Sequence, residues 1–259
     1  ILLRSWAAKA EERLSALLPA RQPFCFIAFE NESPIAFVVS NPYNRRGSCW
    51  SLNMPEKLNT PQKCSLREIN HLLLQNALQK MSSRAKSWIL RCSADNPEDL
   101  SIARELGFQP LKHFQCWAPP LMSSINKDDS ENSYRSYKKT LSWQKLTKKN
   151  APLLWSLEKA GASSQLRQIT DRRWQDLLDQ NIPGSGILIA KNESSQTAIA
   201  GFLGRAGSIS KPIVIQLLRN ILWDSRLTEA LPKMLIDLQK DTEDIFLETS
   251  MEDENVNTL

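Results

Sequence analysis

The segment from Ser93 to Trp117, SADNPEDLSIARELGFQPLKHFQCW, constrains the fold of this chain more than any other stretch. Asn96 and Pro97 are typical of the start of a helix. Gly107 is typical of its end, because glycine adopts the left-handed conformation that closes many helices. The residues that follow, KHFQCWA, predict a strand. The segment therefore predicts a helix that ends in Gly-Phe and leads into a strand.

The residues before this segment predict a sheet that begins with a hairpin. PFCFIAFENESPIAFVVS indicates strand, polar turn and strand, and RGSCWSLNM predicts a third strand. A helix follows from about Ser65 to Ser82, with Ser65 and Glu68 as a capping box. SWILRCSA then predicts a buried strand, and an amphipathic helix over Leu2 to Leu18 precedes the hairpin. Strands that begin with a hairpin and alternate with helices predict a mixed sheet.

The second half of the sequence follows a similar order. LSWQKL predicts a strand, NAPLLWSLEKAG and TDRRWQDLLDQ predict helices, and GILIAKNESSQTAIAGFLGRAG predicts strand, turn and strand. KPIVIQLL and DIFLETS predict further strands on either side of a helix through LTEALPKMLIDLQK. The similar order favours a diverged internal duplication, with chance similarity as the alternative because identical residues are few. A region rich in Pro, Ser and Asn from Pro119 to Ser133 predicts a linker, so the predicted domains are 1–118 and 141–259, joined by 119–140.

Composition narrows the class of protein. Of 259 residues, 41% are hydrophobic and 24% charged, which is typical of a globular chain. Apolar runs are too short to cross a bilayer and the start lacks a secretory signal, so no membrane partner is expected. Five cysteines without CxxC spacing indicate reduced thiols in a cytoplasmic protein, and two histidines apart from any cysteine pair argue against zinc. The chain begins without Met, so we expect a fragment or a trimmed start.

The order of elements, together with the opening segment, resembles the Gcn5-related N-acetyltransferase (GNAT) superfamily. In that superfamily a motif of the form N-x-x-A-x-x-L-Y-x-x-x-G-F follows the fifth strand. Asn96 matches its Asn, Ile102 stands at the apolar position, and Gly107-Phe108 match the closing pair. The resemblance covers the first half and, more weakly, the second. It implies an α/β (α+β) fold of two GNAT-like domains, each a mixed, mostly antiparallel sheet with flanking helices and a splayed strand pair.

The resemblance also implies a cofactor and a reaction. Acetyl-CoA or another acyl-CoA would lie between the splayed strands, and the protein would be an acyl-CoA-dependent N-acyltransferase, of the N-acetyltransferase type. The acceptor would be an amine-bearing small molecule or peptide, and the resemblance does not indicate an oligomeric state. The candidate cofactor-binding residues are Leu52, Asn53 and Met54 on the strand, Lys63, Ser65, Leu66 and Arg67 at the helix start, and Asn96, whose amide would bond the pantetheine arm.

Two departures from the family pattern leave the catalytic residues unassigned. The family's phosphate-binding loop, (R/Q)-x-x-G-x-(G/A), needs glycines, and none occurs between Gly47 and Gly107. The family's Tyr, its general acid, is replaced by Ala103. The second half ends shortly after Asn255 and is expected to be truncated; its helix start also places Asp224 where phosphate would be repelled.

A catalytically inactive GNAT-fold binding or scaffolding module is therefore the alternative. Nucleic-acid binding through the basic stretch Tyr134 to Lys149 is a third and weaker hypothesis, because a base-stacking surface is not apparent. Among the other polar residues, Glu30 and Glu32 are interpreted as solvated turn carboxylates and His71 as a partly buried structural residue.

Overall fold

The computed structural model describes residues 23–58, 64–82, 85–118, 140–179, 184–191, 197–206, 213–241 and 245–251. Within these ranges the chain forms eleven strands in two mixed sheets and six helices, so the predicted mixed α/β class is confirmed. The helix predicted over residues 2–18, and nearly all of the linker predicted over residues 119–140, lie outside the described residues.

The elements lie close to where the sequence predicts them. The strands are β1 (Phe24–Glu30), β2 (Ser33–Pro42), β3 (Cys49–Asn53), β4 (Glu56–Lys57), β5 (Ser87–Arg91), β6 (Phe114–Trp117), β7 (Leu141–Lys145), β8 (Gly186–Ala190), β9 (Ala198–Ala206), β10 (Ile213–Arg219) and β11 (Ile245–Ser250). The helices are α1 (Leu66–Met81), α2 (Pro97–Glu105), α3 (Ala151–Ala160), α4 (Ser164–Thr170), α5 (Trp174–Asp179) and α6 (Arg226–Asp241).

The chain divides into two compact units. Unit 1 consists of Ile1–Pro110 and Gln165–Arg172, and unit 2 consists of Leu111–Ser164 and Arg173–Leu259. The short segment with α4 therefore belongs to unit 1 although it lies in the second half of the sequence.

The sheet of unit 1 has the strand order β1-β2-β3-β5, with β4 also paired to β2. The pairs β1–β2 and β2–β3 are antiparallel, and β3–β5 is parallel. The hairpin turn is made by Asn31 and Glu32, both with positive φ (47° and 68°), as tight hairpin turns require. This confirms the predicted hairpin start and fixes β1 at one edge of the sheet.

Helices α1 and α2 pack on the sheet of unit 1 through one apolar cluster. Leu74 and Ala77 of α1 are fully buried in it, and Ile102 of α2 is 1% exposed. The capping box predicted for α1 is wrong, because Ser65 makes no side-chain cap hydrogen bond. The strand β5 is half-buried along its length rather than buried, since it is the last strand of its sheet.

The segment with α4 is held in unit 1 by the loop between β2 and β3. The buried Asn44 donates a hydrogen bond from Nδ2 to the carbonyl of Thr170, at 2.8 Å. The guanidinium of Arg172 lies 4.5 Å from the centre of the Tyr43 ring. Sequence analysis did not predict this helix, and the polar sequence SQLRQIT, of which only Thr170 is buried, explains why.

The sheet of unit 2 has the order β6-β11-β10-β9-β8-β7. Consecutive strands from β7 to β10 are antiparallel, and β10–β11 is parallel. One apolar cluster lies between this sheet and α6, and a second lies between the sheet and α3 with α5. The order of hairpin, third strand, helix and parallel strand is thus the same as in unit 1.

The strand β6 belongs to the sheet of unit 2. The prediction that KHFQCWA closes the first half is wrong, because β6 pairs antiparallel with β11, from Trp117 opposite Leu247 to Phe114 opposite Ser250. The indole of Trp117 also donates to the Thr249 hydroxyl at 2.9 Å. The pairing protects β11, which would otherwise be an unpaired edge.

Candidate functional site

The parallel strands of unit 1 separate at a defined point. The strands β3 and β5 pair from Cys49 opposite Ser87 to Asn53 opposite Arg91. Beyond this point the chain of β3 continues as β4, which pairs with β2 and not with β5. We call the opening between β4 and the end of β5 the first fork.

A β-bulge directs the chain away from β5 at the first fork. Leu52 lies opposite Ser40 on β2, whereas Lys57 lies opposite Ala36, so β3–β4 contains one residue more than β2 over this stretch. Such an extra residue bends its strand locally. It falls within Asn53 to Pro55, at the candidate cofactor-binding residues Asn53 and Met54.

The start of α1 lies in the same unit and has no side-chain cap. The first helical hydrogen bond of α1 runs from the Ile69 N–H to the Ser65 carbonyl. The N–H groups of the first turn, which come before Ile69, therefore have no partner within the helix. Leu66 is 40% exposed. The carboxylate of Glu30 accepts both the N–H and the thiol of Cys64, at 3.2 and 3.1 Å. Glu30 therefore contacts the helix start and is not a free turn carboxylate.

Arg67 forms an ion pair with Glu105 of α2. Glu105 also accepts a hydrogen bond from Ser101 at 2.8 Å and lies 3.9 Å from His71 Nε2. The Ser101 bond, followed by the charge of Arg67, lowers the pKa of Glu105 below its usual value. Arg67 would have to leave or share this carboxylate to bind a phosphate. The candidate Lys63 lies outside the described residues.

Asn96 and Gly107 mark the two ends of α2. The Asn96 Oδ1 accepts the Glu98 N–H at 3.1 Å, so this side chain caps the helix. Gly107 has φ +87°, and the Phe108 N–H donates to the Ala103 carbonyl at 2.9 Å. Ala103 is 8% exposed, and its methyl group cannot donate a proton.

Two of the predicted cofactor-binding residues belong to or pack against the apolar cluster of unit 1. Leu52 is 1% exposed in the apolar cluster, and Met54 packs against the same cluster. Ile69 in the first turns of α1 and Ile102 of α2 also belong to it. The first fork and both helices thus share one core.

The parallel strands of unit 2 also separate. Their last shared pair is Gln216 opposite Glu248. Beyond this pair β10 continues to Arg219 and remains paired with β9, and β11 continues to Ser250 and remains paired with β6. We call the opening between these strand ends the second fork.

The start of α6, which follows the second fork, is occupied by a carboxylate. Asp224 Oδ1 accepts the backbone N–H of Arg226 at 3.0 Å, and Asp224 Oδ2 lies 2.7 Å from the Arg226 guanidinium. The side-chain bond to Arg226 is the main reason why the pKa of Asp224 lies below its usual value. The Asp224 carboxylate therefore lies at the start of α6, and repulsion of a phosphate there stays a prediction.

Buried polar side chains lie at the second fork that sequence reasoning did not find. Glu248, 5% exposed, pairs with Arg205 of β9 at 2.6 Å. The Ser250 hydroxyl is buried and has no hydrogen-bond partner among the described residues. No alternation in DIFLETS reveals Glu248, because its neighbours Leu247 and Thr249 are buried as well.

No group of three or more His, Cys, Asp and Glu in the described ranges could hold a metal ion. None of the helices in those ranges is long and apolar enough to cross a membrane.

No family profile and no curated protein sequence matches this chain. Among solved structures, the chain is similar to a GCN5-related N-acetyltransferase from Sphaerobacter thermophilus, with 13% identity and a TM-score of 0.43 over 85% of this chain and 69% of that one. It is also similar to a tandem GNAT protein from the clavulanic acid biosynthesis pathway, with 9% identity and a TM-score of 0.48 over 93% and 79%. A third similar structure is L-PGS from Bacillus licheniformis, with 10% identity and a TM-score of 0.40 over 92% and 77%.

The superfamily that the sequence resembles is therefore also the one named for two of these structures.

Proposed function

We propose that this chain is an acyl-CoA-dependent N-acyltransferase that binds its cofactor in unit 1. The observation that carries the proposal is the first fork, where the pairing of β3 with β5 ends at Asn53 and Arg91 while β4 remains on β2. An opening between two parallel strands exposes backbone N–H and C=O groups on its inner edges. The pantetheine arm of an acyl-CoA is thin, extended and contains two amides, so it suits such an opening.

The helix starts of the two units favour unit 1 for the phosphates. A helix N-terminus attracts anions through its free N–H groups and its dipole. At α1 the side chain of Ser65 makes no cap bond, whereas at α6 the Asp224 carboxylate already accepts the Arg226 N–H. A pyrophosphate would therefore find no capping side chain at α1, although it would have to displace Glu30 from the backbone N–H of Cys64 just before the helix.

The chemistry asked of the protein is modest. The amine nitrogen attacks the thioester carbonyl carbon, the carbon–sulfur bond breaks, and the CoA thiolate takes up a proton while the amine loses one. A backbone N–H of Leu52, Asn53 or Met54 would polarise the carbonyl, and the fork would hold the thioester near the amine. Because Ala103 stands at the position of the family's tyrosine, water or the substrate would have to protonate the thiolate.

A binding module without catalysis is the second candidate. It is favoured by the engagement of Arg67 with Glu105 and by the use of Asn96 as a helix cap. Arg67 would have to leave or share Glu105 to contact acyl-CoA, and Asn96 would have to contact it through Nδ2 while Oδ1 caps the helix. The buried Ala103 also favours the binding module, because its methyl group cannot serve as a general acid.

Methyl NMR of the methionines tests the cofactor site directly. Met54 lies at the first fork and Met251 immediately follows β11, so their methyl signals, assigned by Met→Leu variants, report separately on the two units. Acetyl-CoA should shift the Met54 signal in a saturable manner. Ser65→Asp is the matched variant, because Asp is as acceptable as Ser at an N-cap position but adds a carboxylate, and it should weaken binding about tenfold.

Transfer is then measured by mass spectrometry with a panel of primary amines. An acylated amine supports the enzyme, and Met54 shifts without transfer to any amine support the binding module. No Met54 shift at millimolar acetyl-CoA, or equal binding by the Ser65→Asp protein, would contradict the proposed site.

A further inference from the structure

We propose that the outer edge of β1 binds a second copy of this chain, so that the β1 strands of two copies pair antiparallel and join their unit 1 sheets. The strand β2 separates β1 from the strands of the first fork, so the proposal goes beyond the acyl-CoA site and does not depend on it. It rests on an edge strand without charge, an apolar groove beside it, and charges that fit an antiparallel copy.

The strand β1 has one strand partner where its counterpart in unit 2 has two. Among the described residues, β1 pairs only with β2. The strand β8, which begins the hairpin of unit 2, pairs with β9 on one side and with β7 on the other, and its five residues are all buried. In β1, half-buried and exposed residues alternate instead. The described part of unit 1 therefore shows a position for one more strand.

The outer edge of β1 lacks the features that keep sheet edges apart. Natural edge strands carry charges, proline or a bulge that prevents pairing with another chain. Residues 24–29, FCFIAF, contain neither a charge nor proline. The irregularity in the β1–β2 pairing leaves its extra residue, Ile35, on β2. Ile27 and Phe29 are 47% and 61% exposed, so β1 presents an apolar strand that is suited to pairing.

An apolar groove lies between this strand and α1. Its volume is about 660 Å³, and Ile27, Phe29, Ile69 and Leu72 are among the residues that line it. Leu72 lies near the middle of α1 and is 55% exposed. When two sheets join through antiparallel edge strands, the two-fold axis is perpendicular to the sheet, so both α1 helices lie on the same face. Leu72 of each copy then packs towards α1 of the other.

The charges beside the groove fit an antiparallel copy. Glu30 at the end of β1 accepts the Cys64 N–H, so the start of α1 lies beside the end of β1. The seven residues of β1 and the sixteen of α1 both span about 24 Å. Lys80, which also lines the groove, therefore lies towards the start of β1. An antiparallel copy brings its Lys80 to the end that carries Glu68, whereas a parallel copy would bring like charges together.

An extended strand is the occupant that suits this edge. Backbone N–H and C=O groups along a strand edge are paired by another strand. The segment Leu2 to Leu18, which lies outside the described residues, is predicted to be helical, and a helix uses its backbone groups internally. A second β1 supplies the partners. With the strands fully overlapped, Ile27 at the midpoint lies on the two-fold axis opposite itself, and Phe29 lies opposite Cys25.

Sedimentation equilibrium of the full chain tests the association. One strand and one helix face form a small interface, so we expect a monomer–dimer equilibrium with a Kd of about 1–100 µM. Ile27→Lys places two ammonium groups opposite each other on the axis and should weaken association more than about 30-fold. Ile221→Lys is the matched control, because Ile221 is 80% exposed in unit 2; it should leave the Kd unchanged.

Cysteine cross-linking tests the antiparallel register. In a Cys25→Ser, Cys64→Ser protein, Ile27→Cys should form a disulfide between two copies with oxidised glutathione. Opposite Cα atoms in antiparallel strands lie about 4.5–5.5 Å apart, which a disulfide can span. Phe29→Cys in the same background is the matched control, because the two positions 29 lie about 13 Å apart along the joined strands. It should cross-link at least about tenfold more slowly.

The methyl signal of Met54, which packs against the core of unit 1, should keep its wild-type position in each variant and shows that unit 1 remains folded. A wild-type chain that stays monomeric at about 500 µM, five times the weakest expected Kd, would overturn the proposal and indicate that something other than a second copy covers β1. Equal cross-linking through positions 27 and 29, an unchanged Kd in the Ile27→Lys protein, or growth beyond the dimer would overturn it as well.

Discussion

Asn53 of β3 and Arg91 of β5 are the last residues at which the two parallel strands of unit 1 lie side by side. In unit 2 the corresponding last pair is Gln216 and Glu248. In both sheets the first strand of the pair keeps its antiparallel neighbour beyond that point. In each unit the first strand therefore loses one partner at the fork and retains the other.

The buried ion pair at the second fork should be costly to break. Glu248 and Arg205 lie 2.6 Å apart with side chains 7% and 28% exposed. Glu248→Gln should lower the free energy of unfolding by about 3 kcal/mol, because the guanidinium is left uncompensated. The combined Arg205→Met, Glu248→Leu variant should recover most of this loss. Urea unfolding of the three proteins measures both effects.

The exposed pair of Arg46 and Asp171 in unit 1 is the matched control. Their side chains are 49% and 46% exposed at a distance of 2.5 Å. Arg46→Met should cost less than about 1 kcal/mol, as exposed pairs do. A loss as large as that of Glu248→Gln would show that burial is not what distinguishes the two pairs.

The end of α2 depends on the backbone conformation of Gly107. A Cβ atom added there would meet nothing within 4 Å, so its cost comes from φ (+87°) alone. Gly107→Ala should lower the free energy of unfolding by about 1 kcal/mol, and Gly107→Asn by less, because Asn tolerates the left-handed region. Urea unfolding decides, and equal stability of wild type and Gly107→Ala would refute the argument.

Much of the fold could be predicted because local patterns determine it. The hairpin of β1 and β2 follows from alternating apolar residues around a polar turn, and Gly107 does close α2. The sheet to which β6 belongs could not be predicted. A strand pattern does not identify its partner, and Trp117 pairs with Leu247, which lies far along the chain.

The candidate site was predicted less completely, for the same reason. The resemblance indicated Leu52 to Met54, and the strands do separate there. It could not indicate that Arg67 is engaged by Glu105, because that contact joins two helices that are separate in sequence. Glu248 was missed because a single charged residue in a strand pattern is ordinarily interpreted as facing solvent.

The reactivity of Cys64 should depend on Glu30. The hydrogen bond to this carboxylate, followed by its charge, raises the pKa of the Cys64 thiol. Glu30→Gln should therefore lower that pKa and speed alkylation of Cys64 by iodoacetamide between pH 7 and 9, about the range in which a thiol titrates. Mass spectrometry of the labelled peptides measures the rates.

The other cysteines serve as internal references in that experiment. Burial raises the pKa of Cys49 to about 11, and this residue is fully buried. Cys49 should remain unlabelled in both proteins, and Cys25 should react at the same rate in both. An unchanged Cys64 rate in the Glu30→Gln protein would contradict the predicted control by the carboxylate.

The contribution of Asp224 to stability should depend on pH. Its pKa in the folded protein is lowered, mainly by the side-chain bond to Arg226, so its stabilising effect is present above the unfolded value of about 3.9 and is lost as the pH falls through the folded value. At pH 7, Asp224→Asn should lower the free energy of unfolding by about 0.3–1 kcal/mol, the range for a partly exposed charge at a helix start. Because Asn also caps helices, the difference between the two proteins isolates the effect of the charge.

Urea unfolding between pH 7 and about pH 3, just below the unfolded pKa of Asp, measures this dependence. The free energies of unfolding of the wild type and the Asp224→Asn protein should converge as the pH falls. A difference that stays constant over this range would mean that the cap geometry, and not the carboxylate charge, stabilises the start of α6.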